Sequence, residues 1–365
     1  MGLRHRALED LEGLGVPQSL PDPRFWASRN VLLTGHTGFK GSWAALWLHR
    51  LGARVTGLAL PPADPGMHGL ARVADTLDSR MVDIRDQAAI AALLREARPE
   101  IVLHMAAQPL VRRSLADPVE SFAVNVLGTV NLLQALRETP PRAVLVVTTD
   151  KVYAPPPAPR AHPETDPLGG ADPYAASKAA CEIATASMAR NFLEPAGTRV
   201  ATARAGNVIG GGDFAPDRLI PDIIRATQPP TIRHPNATRP WQHVLDCLCG
   251  YFIYTEALAQ GHAVSTALNF GPAGTHSETV GAIAAAMLNA MERPPTWTTG
   301  APPDGRETHE LALDSTLARQ TLGWRDRLTG PAMIETTAAW YRAWMQGRNM
   351  RDFTLRQIAA YEAMP

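Results

Sequence analysis

Tyr174 and Lys178 lie four residues apart in Asp172-Pro-Tyr-Ala-Ala-Ser-Lys178, a segment that opens a helix near its proline. At that spacing both side chains leave one face of the helix. A phenol titrates near pH ~10 and is a poor base at neutrality, but a nearby ammonium favours the phenolate. Tyrosinate can then take the proton of a sugar hydroxyl while the same carbon gives up hydride. Tyr-x-x-x-Lys on its own is common surface decoration, so its context decides. Upstream, Ala143-Val-Leu-Val-Val-Thr-Thr-Asp-Lys151 reads as a strand with polar, ionisable residues at its end. Ligands of open parallel sheets sit beyond the carboxyl ends of the strands. Thr148, Thr149, Asp150 and Lys151 therefore stand where chemistry would happen, with a threonine hydroxyl available to hold a substrate oxygen.

Hydride needs an acceptor, and the start of the chain offers a place for one. Asn30-Val-Leu-Leu-Thr-Gly-His-Thr-Gly-Phe-Lys-Gly-Ser42 is a short apolar strand, a turn with Gly35, Gly38 and Gly41, and the opening of a helix. This is the layout of a dinucleotide-binding βαβ unit. Gly35 allows a tight exit from the strand, Gly38 lets backbone N–H groups approach a pyrophosphate, and Gly41 lets the helix pack close. The helix N-terminus adds unpaired N–H groups and a positive dipole. The second strand, Ala53 to Leu60, ends in Leu60-Pro-Pro with neither an acidic residue for a ribose nor an arginine cluster for a 2′-phosphate. That position does not choose between NAD and NADP.

Strands then alternate with helices, which indicates an α/β fold with a doubly wound parallel sheet. Ser79 to Ile84 reads as a third strand with Asp83 at its end, and Ile101 to Ala107 as a fourth. Ala106 and Ala107 there are small enough for a cofactor to lie against. A helix over 118–137 carries Val119, Phe122, Val126, Val130 and Leu133 on one stripe. Asn125 lies off that stripe, open to a solvated or capping role or to a cofactor hydrogen bond. Thr198 to Asp213 reads as a sixth strand running into a glycine-rich bend. Arg218, Arg225, Arg233 and Arg239 follow among prolines, as loop residues that could clamp a diphosphate.

Lys+Arg and Asp+Glu balance at 35 each in 365 residues. No global field therefore recruits nucleic acid or an anionic membrane. Three cysteines form neither a disulfide framework nor a zinc pattern; Cys247 and Cys249 are too close for the usual metal pair. No apolar stretch reaches the ~20 residues that span a bilayer. The charged start does not resemble a signal peptide, and a cytoplasmic protein is expected.

Together these segments resemble the extended short-chain dehydrogenase/reductases and, within them, the CDP-glucose 4,6-dehydratases. The resemblance runs from Phe25 to about Trp324 and includes Asp-Ile-Arg-Asp (83–86), His-Met-Ala-Ala-Gln-Pro-Leu-Val-Arg-Arg-Ser (104–114) and Asn-Val-Leu-Gly-Thr-Val-Asn-Leu-Leu (125–133). Gly-His-Thr-Gly-Phe-Lys-Gly (35–41) and Arg-Pro-Trp-Gln-His-Val (239–244) are its most specific parts. It implies a Rossmann domain over 24–205 and 236–275, and a smaller sugar-nucleotide lobe over 206–235 and 276–345. An N-terminal extension (1–23) and a C-terminal tail (346–365) complete that division.

The resemblance further implies NAD as cofactor, held by Thr37, Phe39, Lys40, Asp83, Ile84, Ala106, Ala107, Gln108, Asn125, Tyr174 and Lys178 beside the three glycines. Lys40 is expected beside the pyrophosphate, helping to retain a cofactor that is regenerated in every cycle. CDP-glucose would meet Gln108, Arg112, Asn207, Arg218, Arg239 and Trp241. Tyr174 would be the base for oxidation at carbon 4, tuned by Lys178, with Thr149 orienting the hydroxyl. Asp150 would be the acid for the hydroxyl lost from carbon 6, and Lys151 the carbon 5 base, where dTDP-glucose dehydratases have Glu. A lysine in that role needs burial or a neighbouring cation. Hydride would return to carbon 6 to give CDP-4-dehydro-6-deoxyglucose, a precursor of dideoxy sugars in surface polysaccharide such as lipopolysaccharide O-antigen. A homodimer is implied, paired through residues 118–137 and 173–193. Val244-Leu-Asp-Cys247 departs from the Val-Leu-Glu-Pro that members generally carry. A 4-epimerase or decarboxylase would share Tyr174 and Lys178 without needing Asp150. A non-catalytic nucleotide-binding protein would need neither.

Overall fold

Near-continuous apolar runs such as Val31-Leu32-Leu33 and Val144-Leu145-Val146 suit strands covered on both faces. A computed structural model describes residues 19–158, 160–273, 278–300 and 311–365. Its central strands are β1 (Asn30–Thr34), β2 (Arg54–Ala59), β3 (Asp78–Met81), β4 (Ile101–His104), β5 (Ala143–Val147), β6 (Arg199–Ala205) and β7 (Ala267–Phe270). They form one seven-stranded sheet in the order β7-β6-β5-β4-β1-β2-β3, and every neighbouring pair is parallel. Successive side chains along a strand point to opposite faces, and the two faces feed two cores. Leu33, Leu103 and Leu145 join one; Leu32, Val102 and Val144 join the other.

The first core is closed by α1 (Phe39–Arg50) and, later in the chain, by a long apolar helix over Val244–Ala259. The second is closed by α2 (Gln87–Ala97), α3 and α4 (Pro173–Met188). Here α3 is a composite: Pro118–Phe122, a π-helical turn at Ala123–Leu127, and Gly128–Ala135. The Val244–Ala259 helix is α5; α6 (Val280–Ala290) and α7 (Gly330–Met345) pack on one another in the smaller lobe. No helix among the described residues is long and apolar enough to cross a membrane.

Four expectations change. β3 stops at Met81 rather than Ile84, because its partner β2 ends at Ala59, opposite Met81, and Pro61 and Pro62 carry no N–H to extend the ladder. β5 ends at Val147, and the following residues turn into a 3₁₀ helix at Asp150–Val152. The stripe on α3 is not core: Val119 is 77% exposed and Leu127, on the same helix, 59%. Only Leu133 of that stripe is fully covered. The expected C-terminal tail instead forms α8 (Met350–Glu362), with Ile358 and Tyr361 buried. Trp47 Nε1 on α1 donates to Glu362 Oε1 at 2.8 Å.

Asp246, part of the departure noted above, is the reason the tail docks. Its carboxylate accepts the Tyr361 hydroxyl at 2.9 Å and the N–H groups of Arg327 and Leu328 at 2.7 and 3.1 Å. Residues before the sheet are anchored to α5 in a similar way. The Asp22 N–H and Trp26 Nε1 both donate to Glu256 Oε1.

Across the sheet edge, α4 is tied to the ends of β5 and β6 by a buried charge pair. Arg204 Nε lies 2.9 and 3.0 Å from the two carboxylate oxygens of Glu182. Thr148 Oγ1 also donates to Glu182, and Arg204 Nη1 donates to the Tyr153 hydroxyl at 2.8 Å. Removing one partner strands a buried charge, at roughly 3–5 kcal/mol, whereas replacing both by apolar residues often costs little. Arg204→Met should therefore lower the urea-unfolding free energy by that amount. Adding Glu182→Leu should restore most of it; an additive double variant would show that the pair does not couple these elements.

Glu256 makes a second prediction. Desolvation raises its pKa from 4.5 to about 8, against the opposing effect of its Asp22 and Trp26 donors. The folded chain thus binds this proton more tightly than the unfolded one, so stability falls as pH rises from 4.5 towards 8. Thermal unfolding from pH 5 to 9 should show wild type losing stability relative to Glu256→Gln across that window. A constant difference would remove Glu256 as the cause.

Candidate active site

At the carboxyl edge, sheet order reverses between β1 and β4, and the crevice this leaves is a ligand site in open α/β sheets. The glycine turn crosses it. Gly35 has φ +77°, and a Cβ there would lie 2.8 Å from the Ala106 nitrogen. A Cβ on Gly41 would lie 2.1 Å from the Gly35 oxygen, so α1 could not close onto the turn. Gly38 is the N-cap of α1 and no side chain caps the helix. Its first-turn N–H groups are thus left for an anion. Thr37 Oγ1 ties the turn to the end of β2, donating to the Leu60 carbonyl at 2.9 Å. The close approach of Gly35 to Ala106, with small Ala107 beyond, keeps the crevice floor free of bulk. These features fit a dinucleotide, whose phosphates the Gly35 to Gly41 turn would hold, with Ala106 and Ala107 leaving room for it.

Several expected cofactor residues have other partners. Asp83 lies beyond β3 with its carboxylate bonded to the Arg85 guanidinium. Ile84 is buried, and a Cβ on Gly128 of α3 would meet it at 2.6 Å. Lys40 does not remain at the helix start. Its Nζ stands 5.9 Å from the centroid of the Tyr251 ring and is near enough to Lys178 to lower that ammonium's pKa. Position 40 is on the first turn of α1 and its stem runs inward towards α5. His36, also in the turn, is fully buried. Its Nε2 is 2.8 Å from Ser79 Oγ, and burial followed by His68 lowers its pKa to about 4.

Asn125 resolves in favour of an interior role, though not a solvated or capping one. Its Oδ1 accepts the Gln108 N–H at 2.9 Å, and its Nδ2 donates to the Gln108 carbonyl and to Ser177 Oγ. Ser177 Oγ in turn donates to the Tyr174 carbonyl at 2.8 Å. The π turn of α3 carries Asn125 inward, a common place for such turns. Gln108 is buried with its own amide spent on Leu110 and Ser121. These two residues thus link the loop after β4 to the start of α4.

The reacting groups converge where β5 meets α4. Asp172 caps α4 through the Ala175 N–H at 2.9 Å, and Ser114 Oγ accepts the Tyr174 N–H at 3.1 Å. Lys178 is buried and donates to the Val147 carbonyl at 2.9 Å; burial lowers its pKa. Desolvation pushes the Tyr174 phenol up to about 12; a hydrogen bond with Thr149 opposes this, and Asp150 adds to it. Thr149 Oγ1 donates to Asp150 Oδ1 at 2.9 Å. Asp150 is 2% exposed and its Oδ2 has no partner. Lys151 Nζ lies 3.9 Å from Asp150 Oδ1 with its side chain 30% exposed. It lacks the burial expected of a lysine base, and this neighbour is a carboxylate.

Of the residues expected to meet substrate, Arg218 approaches closely enough to act on the Tyr174 phenol, and its Nη1 is 3.3 Å from Asp213. Arg112 is exposed and paired with Asp217 at 2.9 Å, which Arg233 also approaches at 3.7 Å. Arg239 and Trp241 are buried; Trp241 Nε1 donates to the Glu278 carbonyl. Asn207 accepts the Gln242 N–H at its carbonyl. Among the described residues no cluster of three or more His, Cys, Asp or Glu is placed to hold a metal. Ser114 and Tyr251 escaped sequence reasoning, since each contacts the site from a distant segment; Ser177 lies one helical turn after Tyr174, and its hydroxyl accepts from Asn125 of α3, a contact that no local spacing encodes. Tyr251 is buried beside Cys247, Tyr174 and Asp150, and burial raises its pKa well above the usual value.

Comparison with known proteins agrees with this geometry. Residues 31–271 match the model of the NAD dependent epimerase/dehydratase family. The chain is 40% identical over 351 residues to the CDP-glucose 4,6-dehydratase of Salmonella typhimurium, covering 93% of this chain and 98% of that one. It is 30% identical to a dTDP-glucose 4,6-dehydratase of Xanthomonas campestris pv. campestris, covering 90% and 98%. Among solved structures, a double mutant of the Streptomyces venezuelae dTDP-glucose 4,6-dehydratase DesIV, with NAD bound, superposes with a TM-score of 0.75. That pair is 25% identical, over 87% of this chain and 98% of that one. The protein therefore belongs to the NAD dependent epimerase/dehydratase family.

Proposed function

We propose that the protein is a sugar-nucleotide 4,6-dehydratase that converts CDP-D-glucose to CDP-4-dehydro-6-deoxy-D-glucose and water. The observation that carries this is the buried Asp150 carboxyl, joined through Thr149 to the Tyr174 phenol. An epimerase needs the phenol and not a carboxyl beside it, whereas loss of the carbon 6 hydroxyl needs an acid. The choice of cytidine rests on the likeness to the Salmonella typhimurium enzyme. NAD supplies the hydride acceptor for the first step and the hydride donor for the last.

The chain's own residues do the rest. Tyr174 takes the proton of the carbon 4 hydroxyl, with the Lys178 ammonium in the same buried corner. Thr149 holds the hydroxyl oxygen in line. A ketone at carbon 4 acidifies the carbon 5 proton that the elimination removes. Asp150 protonates the departing carbon 6 hydroxyl. Arg112, Arg218 and Arg233, at the edge of the smaller lobe, supply the charge that a diphosphate requires.

A second copy of the chain completes the proposed assembly. Val119, Phe122 and Leu127 on α3 and Ile183 on α4 are all exposed. Adjacent helices carrying such residues offer an apolar face suited to a four-helix pairing. Leu127→Asp with Ile183→Asp should shift the protein from dimer to monomer in sedimentation analysis. A dimer that survives both charges would place the interface elsewhere.

The activity is tested by offering CDP-, dTDP-, UDP- and GDP-glucose in parallel and weighing the products. Loss of one water from the CDP sugar is expected; an epimer of unchanged mass would replace the dehydratase by an epimerase. Tyr174→Phe should lower turnover by about 10²–10⁴ while NAD stays bound. Undiminished turnover would remove Tyr174 from the reaction.

A further inference from the structure

An acid and a base stand on the same short chain of hydrogen bonds, and the bonds have a direction. Thr149 donates its hydroxyl hydrogen to Asp150 Oδ1 at 2.9 Å and accepts the Lys151 N–H at 3.4 Å; the Tyr174 phenol interacts with the same hydroxyl, whose oxygen has a second lone pair to accept with. The burial that holds the phenol neutral also isolates Asp150 from water. A neutral phenol is no base, and an ionised carboxylate is no acid. The oxidation needs the phenol to lose its proton, and the elimination needs Asp150 to hold one.

We propose that Tyr174, Thr149 and Asp150 form a proton relay in which the oxidation at carbon 4 arms the acid used at carbon 6. The inference rests on the dehydratase reading. As the C4–H and O4–H bonds break and the carbonyl forms, hydride goes to NAD and the O4 proton goes to the Tyr174 oxygen. Tyr174 passes its own proton to Thr149 Oγ1, and Thr149 passes its hydrogen to Asp150 Oδ1. Both hydroxyls end as they began, and Asp150 now carries the proton. A half-turn of the carboxyl exchanges its oxygens, and unpartnered Oδ2 marks the side on which no protein group competes for the leaving hydroxyl. When the C6–O bond breaks, Asp150 gives that proton to the departing oxygen and becomes a carboxylate again. The extra hydrogen of the product water is then Thr149's, replaced in turn from Tyr174 and from O4, so the acid draws no proton from solvent.

The relay also orders the reaction. Elimination cannot precede oxidation, because the acid does not exist until the alcohol has been oxidised. The groups that face the relay are Asp172 and Arg218 at the phenol, Lys151 at Asp150, Lys178 one helical turn beyond Tyr174, and Tyr251 from α5.

The test isolates the first half of the cycle. CDP-6-deoxy-D-glucose can be oxidised at carbon 4 but has no hydroxyl to lose. Holoenzyme in excess, in weak buffer with an indicator dye, reports reduced nicotinamide and released protons together. Wild type should form reduced nicotinamide and release no proton, because Asp150 keeps it. Asp150→Asn and Thr149→Val should release one proton for each reduced nicotinamide. In both, the rate should climb roughly tenfold per pH unit, as the phenol must ionise unaided. Thr149→Ser, which keeps the hydroxyl, should again retain the proton. One proton released by wild type, or a flat pH profile in Asp150→Asn, would overturn the relay. Absence of reduced nicotinamide in wild type would instead overturn the dehydratase reading, and the relay with it.

Discussion

Glu182 and Arg204 meet in the interior where the sheet ends and α4 packs on it, and the position of Tyr174 and Lys178 depends on that meeting. Glu182 is one helical turn beyond Lys178 and two beyond Tyr174, on the same face of α4. Burying one ion is unfavourable, so each partner must find the other, and the geometry that satisfies both is narrow. Thr148 joins the pair from the end of β5, and Arg204 reaches on to Tyr153 and the Glu164 carbonyl. Tyr153 in turn bonds Asn269 on β7. A helix, three strands and the loop after β5 are thereby held in one register, and the reactive hydroxyls come to rest beside one another.

A second set of constraints places the cofactor edge. The turn between β1 and α1 works by the absence of side chains, since the chain closes on itself at Gly35 and Gly41. His104 supports it from below. Its Nδ1 is 2.7 Å from Thr34 Oγ1 and its Nε2 2.9 Å from Thr129 Oγ1, linking β1 and β4 to α3. Burial holds this imidazole far below its usual pKa, at about 3, with Lys178 adding to the effect. It serves as a neutral strut whose two nitrogens meet two hydroxyls.

The functional residues were legible in proportion to how local their signals are. Gly35, Gly38 and Gly41 stand in one turn, and Tyr174 and Lys178 in one helix turn, so chain spacing carries their geometry. Asn125 was harder to read. Periodicity alone puts it off the apolar stripe, but the start of the stripe, at Val119 and Phe122, proved to face outward, and Asn125 in the π turn faces the interior. Lys40 was hard to read for a related reason. Its position at a helix start suggests an anion, whereas its long stem carries the charge to the Tyr251 ring, contributed by a helix some two hundred residues later.

By itself the sequence determined the parallel doubly wound sheet, the glycine turn after β1, and the strand end and helix that carry Asp150, Tyr174 and Lys178. These follow from short-range rules: two- and 3.6-residue periods, glycine where a side chain cannot fit, and polar residues at strand ends. Only the tertiary structure decided which hydroxyl donates to which oxygen at Thr149 and Asp150, that the last helix is core, and that the face of α3 is exposed. Those outcomes depend on desolvation and on contacts between segments far apart in the chain, and no local spacing encodes either.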